Sequence, residues 1–206
     1  MLKKVINGIF AGILISIGGA VYLACDNKYV GSLLFTVALV CICYQGYSLY
    51  TGKICYIPEK HGKEEFSVLL TGLLGNIIAT TVCGYALAYA IPKLREAGLN
   101  ACTLKLQQEM PQTFIRAFFC GILIFLAVDI FKKHKTPLGI ILCIPVFILS
   151  GFEHSVADMF YFAVSDTVSF KAFVFIWIVI LGNSAGGMLL PLLNLLGGKK
   201  DAEQKS

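Results

Sequence analysis

The chain has 206 residues, 57% of them hydrophobic and 14% charged, with a formal net charge of +5. Soluble domains are about 45–50% apolar with glycine counted in and about 25% charged; here the 20 glycines bring the apolar share to about two thirds. That excludes a water-soluble globule, a disordered chain and a disulfide-stapled secreted module, and the 17 Lys and Arg, set between apolar blocks instead of on one face, exclude a nucleic-acid binder.

A hydrocarbon core about 30 Å thick is crossed by about 20 apolar helical residues. Six stretches meet that length, over residues 6–25, 30–50, 66–91, 113–131, 138–164 and 170–196. The first follows Lys3 and Lys4 as a signal peptide would. It is too long for such an apolar region, however, and Asp26-Asn27-Lys28 is not a small-residue cleavage site, so it reads as a true span. The second meets Ser48-Leu49-Tyr50-Thr51-Gly52-Lys53 before a short apolar tail, Ile54 to Ile57. The third carries Leu74-Gly75-Asn76, and the sixth repeats the pattern as Leu181-Gly182-Asn183. The fifth is interrupted near its middle by Ser150-Gly151-Phe152-Glu153-His154-Ser155.

Three spans per half place the halves in opposite orientation. Each half has its second span broken and its third marked by Gly-Asn, as in transporters built from inverted repeats. The reading is an all-α membrane protein of six transmembrane helices in two inverted three-helix repeats, with broken second and fifth helices. It is a single transmembrane domain over 1–206, with repeats over about 5–92 and 113–197 and a short tail over 198–206. Basic residues orient it. With the amino terminus in the cytoplasm, Lys3, Lys4, Lys53, Lys60, Lys63, Lys132, Lys133, Lys135, Lys199, Lys200 and Lys205 lie inside. Lys28, Lys93, Arg95, Lys105 and Lys171 lie outside, with Arg116 at the outer end of the fourth span. Both termini are then cytoplasmic.

Cys41, Cys43, Cys83, Cys120 and Cys143 fall inside apolar runs without a CxxC pair, and read as small buried hydrophobes with no metal or redox role. Gly182-Asn183-Ser184-Ala185-Gly186 satisfies the nucleophile-elbow pattern, but it lies inside a span with no His after it. Helix packing through GxxxG, shared with Gly8 to Gly12, is the better account. His154 and Glu153 sit near the membrane midplane, where an ionisable group costs a few kcal/mol and reads as functional by default. An imidazole there can exchange a proton in the physiological range. Protonating a weak acid's anion removes most of its desolvation barrier, so the pattern suits formate, nitrite, hydrosulfide or lactate better than a strong-acid anion. Glu153 reads equally as a structural carboxylate at the helix break, and Asp158 as structural.

Taken together, Gly151-Phe152-Glu153-His154-Ser155-Val156-Ala157-Asp158-Met159-Phe160, the break Leu49-Tyr50-Thr51-Gly52, the segment Phe114 to Val128 and Gly182-Asn183 resemble the formate/nitrite transporter family. The resemblance runs over roughly residues 5–197. It implies an aquaporin-like protomer, a homopentamer with one pore per protomer, a bacterial plasma membrane, and passage of small monovalent anions without a cofactor or metal. By position, it makes His154 the central pore histidine and proton relay. Thr51 becomes its hydrogen-bonding partner, and Lys105 the vestibule lysine that attracts anions. Phe35, Leu39, Leu49, Tyr50 and Phe147 become constriction residues. Asn76, Glu153 and Asn183, polar groups within the spans, read from the residues themselves as supporting polar groups. Gly121 stands where many members carry Asn, which implies one pore-side donor fewer. A membrane-embedded enzyme or metal site using His154, Glu153 and Asp158 is the alternative, and a purely structural membrane protein a third.

Overall fold

The computed structural model describes residues 1–198, so the tail beyond Gly198, with Lys199, Lys200 and Lys205, lies outside the described residues. The described residues form helices and no strand: α1 (Leu2–Ala24), α2 (Lys28–Gln45), α3 (Tyr50–Ile54), α4 (Lys63–Ala90), α5 (Pro92–Leu106), α6 (Met110–His134), α7 (Leu138–Leu149), α8 (Ser155–Val164) and α9 (Phe170–Leu196). Among these, α1, α2, α4, α6 and α9 are long and apolar enough to cross a membrane by themselves. The two interruptions read from the sequence are real breaks. One separates α2 from α3, and the other separates α7 from α8.

Local chemistry accounts for the boundaries. Asn27 accepts from the amides of Tyr29 and Val30 and so starts α2. Gly46, at φ 72, takes the left-handed conformation that stops it. Gly151, at φ 69, lets the chain leave α7 the same way. Glu109 and Gln112 form a capping box at the start of α6. The sequence reading missed α5, which occupies what was taken for a connection. Its signals were Pro92 in the first turn and the buried stripe Leu94, Gly98 and Cys102 at a spacing of four.

α1 packs along α4, and α6 packs along α9. In lipid there is little hydrophobic drive between helices, so close backbone approach through small residues carries this packing. A Cβ added to Gly12 would lie 2.7 Å from that of Ala79, and one on Gly182 would lie 2.6 Å from that of Ala117. Gly121 corrects its sequence reading. A side chain there would meet the Asn183 carbonyl and lie 2.7 Å from the Gly187 nitrogen, so the position faces α9 instead of a pore.

The halves are wired alike. α2 meets α7 between them, α8 lies on α4 and α1 of the first half, and α3 lies on α9 and α6 of the second. Large apolar side chains such as Leu33, Val37, Leu70, Val82, Leu142, Phe173 and Trp177 are exposed around the outside, as a lipid-facing surface requires.

Candidate functional site

Each break is held by one asparagine. Asn76 of α4 accepts at Oδ1 from the Tyr50 amide (2.9 Å) and donates through Nδ2 to the carbonyls of Gly8 (2.8 Å) and Ser48 (3.1 Å). Asn183 of α9 accepts from the Ser155 amide (2.9 Å) and donates to the carbonyls of Ala117 (2.8 Å) and Glu153 (2.8 Å). The asparagine thus grips the residues on either side of Leu49 in one half, and on either side of His154 in the other. It satisfies backbone groups that a broken helix leaves open, which irregular backbone in a membrane demands. Leu49 and His154 are the residues that cap α3 and α8.

The two halves meet at their caps. The Thr51 Oγ1 lies 2.8 Å from His154 Nε2, and the Ala157 amide donates to His154 Nδ1 at 3.2 Å. Nδ1 is therefore an acceptor, the ring hydrogen sits on Nε2, and Nε2–H donates to Thr51. The one in-plane lone pair of the ring, on Nδ1, is thus taken by the Ala157 amide and does not face a metal. Phe147 stacks on the imidazole at 5.8 Å between centroids, and Phe35 meets Phe147 edge-on at 6.4 Å. Phe35, Leu39, Leu49, Thr51, Phe147 and His154 are all buried. Thr51→Val keeps the shape but removes the acceptor of a buried N–H, at a cost of about 1–3 kcal/mol. The expected result is a lower unfolding temperature together with slower transport, read by thermal unfolding and flux on the same preparation.

Tyr50 departs from its sequence reading as a constriction residue. Its hydroxyl lies 2.9 Å from Ser184 Oγ on α9, and it lines neither of the cavities described next. Ser184 donates to the Ile180 carbonyl at 2.6 Å, so the Tyr50 hydroxyl is the donor of the pair. The asparagine grip holds the Tyr50 amide toward α4, and its hydroxyl is held by α9. Ser184 has no histidine beside it and lies within α9, as the packing reading of its glycines requires.

Two cavities approach the buried collar and share no lining residue. The larger, about 490 Å³, runs past Lys105, Gln108, Arg116, Glu153 and Asp158 to end on Phe35, Phe147 and His154. The smaller, about 160 Å³, is bounded by Leu39 and Leu49 and carries Lys53, Lys132 and Lys135 with no carboxylate in its wall. Lys105 does reach the larger cavity, but its ammonium pairs with Glu153 and with Asp158 (2.9 Å). Burial pushes that ammonium down in pKa, while Asp158 and Glu153 pull it up and prevail, so it stays charged. Gln108 donates to the other Glu153 oxygen at 2.6 Å. The three lysines of the smaller cavity had been read only for orientation. Their convergence depends on the end of α6 meeting the first break, which no local pattern announces.

A family model for formate/nitrite transporters matches residues 1–196. The chain belongs to the formate/nitrite transporter family. Formate-nitrite transporter 2 of Toxoplasma gondii is 27% identical over 189 residues, covering 80% of this chain and 40% of that protein, so the chain spans well under half of that relative's length. The uncharacterized transporter YwcJ of Bacillus subtilis is 25% identical over 223 residues, covering 92% of this chain and 86% of the relative. Among solved structures, an FNT family ion channel matches with a TM-score of 0.81 at 21% identity, over 96% of this chain and 90% of that one. A pentameric formate channel with formate bound matches with a TM-score of 0.76 at 24% identity, over 97% and 98%. At such identities the structures attest the fold alone, an all-helical architecture. Membership makes the chain a multi-pass membrane transport protein, and sets aside the enzyme reading of His154, Glu153 and Asp158.

Proposed function

We propose that the chain passes small monovalent weak-acid anions of the formate, nitrite and hydrosulfide class, in protonated form, through a pore in each protomer. The observation that carries this is a pair of cavities with no lining residue in common, one ending on Phe35, Phe147 and His154 and the other bounded by Leu39 and Leu49, with the buried His154–Thr51 pair beside them. Transfer of a bare ion into such an apolar collar costs tens of kcal/mol by Born solvation, whereas a neutral acid pays only for its hydrogen bonds. In the neutral tautomer, His154 offers Nε2–H to a passing acid in place of Thr51. Taking up a second proton would break the Ala157 cap at Nδ1.

Helices α7 and α8, of 12 and 10 residues, are each too short to cross. Joined through their break they make one crossing, which supports six crossings in two inverted halves. The lysines of the smaller cavity, with Lys3, Lys4, Lys60, Lys63 and Lys133, favour a cytoplasmic position for that side and for the termini, in a cell membrane. The larger cavity then faces outward. The formate-bound pentameric neighbour supports a homopentamer and a small anion cargo.

The test is uptake into proteoliposomes. Formate, nitrite and hydrosulfide are expected to enter faster as the external medium is acidified, with chloride excluded. Equal chloride uptake would remove the protonation mechanism, and no uptake of any anion would remove the reading.

A further inference from the structure

Asp158 is 1% exposed and forms part of the larger cavity's wall. Its Oδ1 pairs with Lys105 at 2.9 Å, while Oδ2 is buried without any hydrogen-bond partner. Lys105 is also held by Glu153, whose second oxygen is satisfied by Gln108. Two carboxylates thus share one ammonium. With both ionised, the cluster carries a net negative charge in a buried wall, on the approach route of an anion. An unpaired buried carboxylate oxygen is costly, and a proton on Oδ2 removes the excess charge. The charged groups facing Asp158 are Lys105 of α5 and Glu153 of the break, with Arg116 of α6 in the same cavity wall. The other ionisable groups near it are Cys102 of α5, Cys120 of α6 and Tyr161 of α8, with Tyr22 of α1 and His154 in the same cavity wall.

We propose that Asp158 holds a proton on Oδ2, behind the wall of the larger cavity, and that its carboxyl turns to hand this proton to the permeating anion there. This rests on the transport reading above and deepens it. The O–H bond of the Asp158 carboxyl breaks and an O–H or S–H bond forms on the anion, which goes on to the collar as neutral acid. The carboxylate left behind faces Lys105 and takes its proton back from water in the cavity. No net charge crosses the collar, and one proton travels with each anion. His154 then meets a neutral acid and keeps its cap on α8.

The experiment pairs infrared spectroscopy with flux on reconstituted protein. Wild-type protein at neutral pH is expected to show the C=O stretch of a protonated carboxylic acid, lost in Asp158→Asn. If that variant fails to fold, wild-type protein labelled with ¹³C-aspartate reads the same band by its isotope shift. Formate uptake by Asp158→Asn is expected to fall at least about tenfold, equivalent to about 1.4 kcal/mol on the barrier. Its remaining pH slope should follow only formate's own protonation in bulk water. Wild-type uptake without the band, or an unchanged pH profile in the variant, overturns the proposal. Absence of uptake in wild type overturns the transport reading instead, and the proton hand-over falls with it.

Discussion

His154→Phe is expected to abolish formate and nitrite uptake, and His154→Asn to reduce it at least about tenfold without the same loss of stability. The two variants separate the roles that the ring combines. As cap of α8, His154 accepts from the Ala157 amide, a contribution of about 1 kcal/mol that Asn reproduces and Phe does not. As the polar group at the centre, it presents Nε2–H to whatever occupies the collar. Phe removes that donor and, stacked against Phe147, leaves an apolar plug between Phe35 and Leu49. Asn supplies an amide donor on a shorter arm, which no longer reaches the same point. Flux in proteoliposomes and thermal unfolding, measured on both variants, check the pair. Undiminished uptake by His154→Phe would mean that the path lies elsewhere than between the two cavities.

What could be read from the chain depended on whether the cause was local. The broken second and fifth spans were legible because Ser48–Lys53 and Ser150–Ser155 interrupt long apolar runs, and polar backbone inside a membrane needs a reason. Gly-Asn in the third and sixth spans was legible as close packing beside a polar group. Which atoms each asparagine grips was not, since the partners lie between 26 and 68 residues away. Tyr50 was placed beside Leu49 by likeness of position, and its hydroxyl partner Ser184 lies 134 residues away, beyond the reach of any local pattern. Lys105 was legible as a cation near one mouth, but its neutralisation by Glu153 and Asp158 comes from residues 48 and 53 positions on. The helix α5 was hidden by its modest apolar content, since only a narrow stripe of it is buried. Gly121 was misjudged for the opposite reason. A likeness in position suggested a pore role, whereas the α6–α9 contact had claimed the site for backbone packing.

The largest loss of stability is expected from Asn183→Ala and Asn76→Ala. Removing the Asn183 side chain leaves the Ala117 and Glu153 carbonyls and the Ser155 amide without partners, all in buried surroundings. Interhelical hydrogen bonds in membrane proteins average about 0.6 kcal/mol each, because the unfolded chain finds other partners; three of them set a floor of about 2 kcal/mol. Left unsatisfied in a folded break, each group costs about 1–3 kcal/mol. Either figure is a large part of the 5–15 kcal/mol that holds a typical domain together. Because Asn76 grips the first break through the same three kinds of bond, the two alanine variants should lose similar amounts of thermal stability in detergent. They should differ in function, since only Asn183 positions the backbone of Glu153, and with it the partner of Lys105. Asn183→Asp sharpens the test. A carboxylate still accepts from the Ser155 amide, but it turns two donated bonds into oxygen–oxygen repulsions with the Ala117 and Glu153 carbonyls. It should therefore be no more stable than the alanine variant at neutral pH and should recover on acidification, when a carboxyl proton restores one donor. If Asp at 183 matched Asn in stability at neutral pH, the asparagine would not be the clasp of the second break.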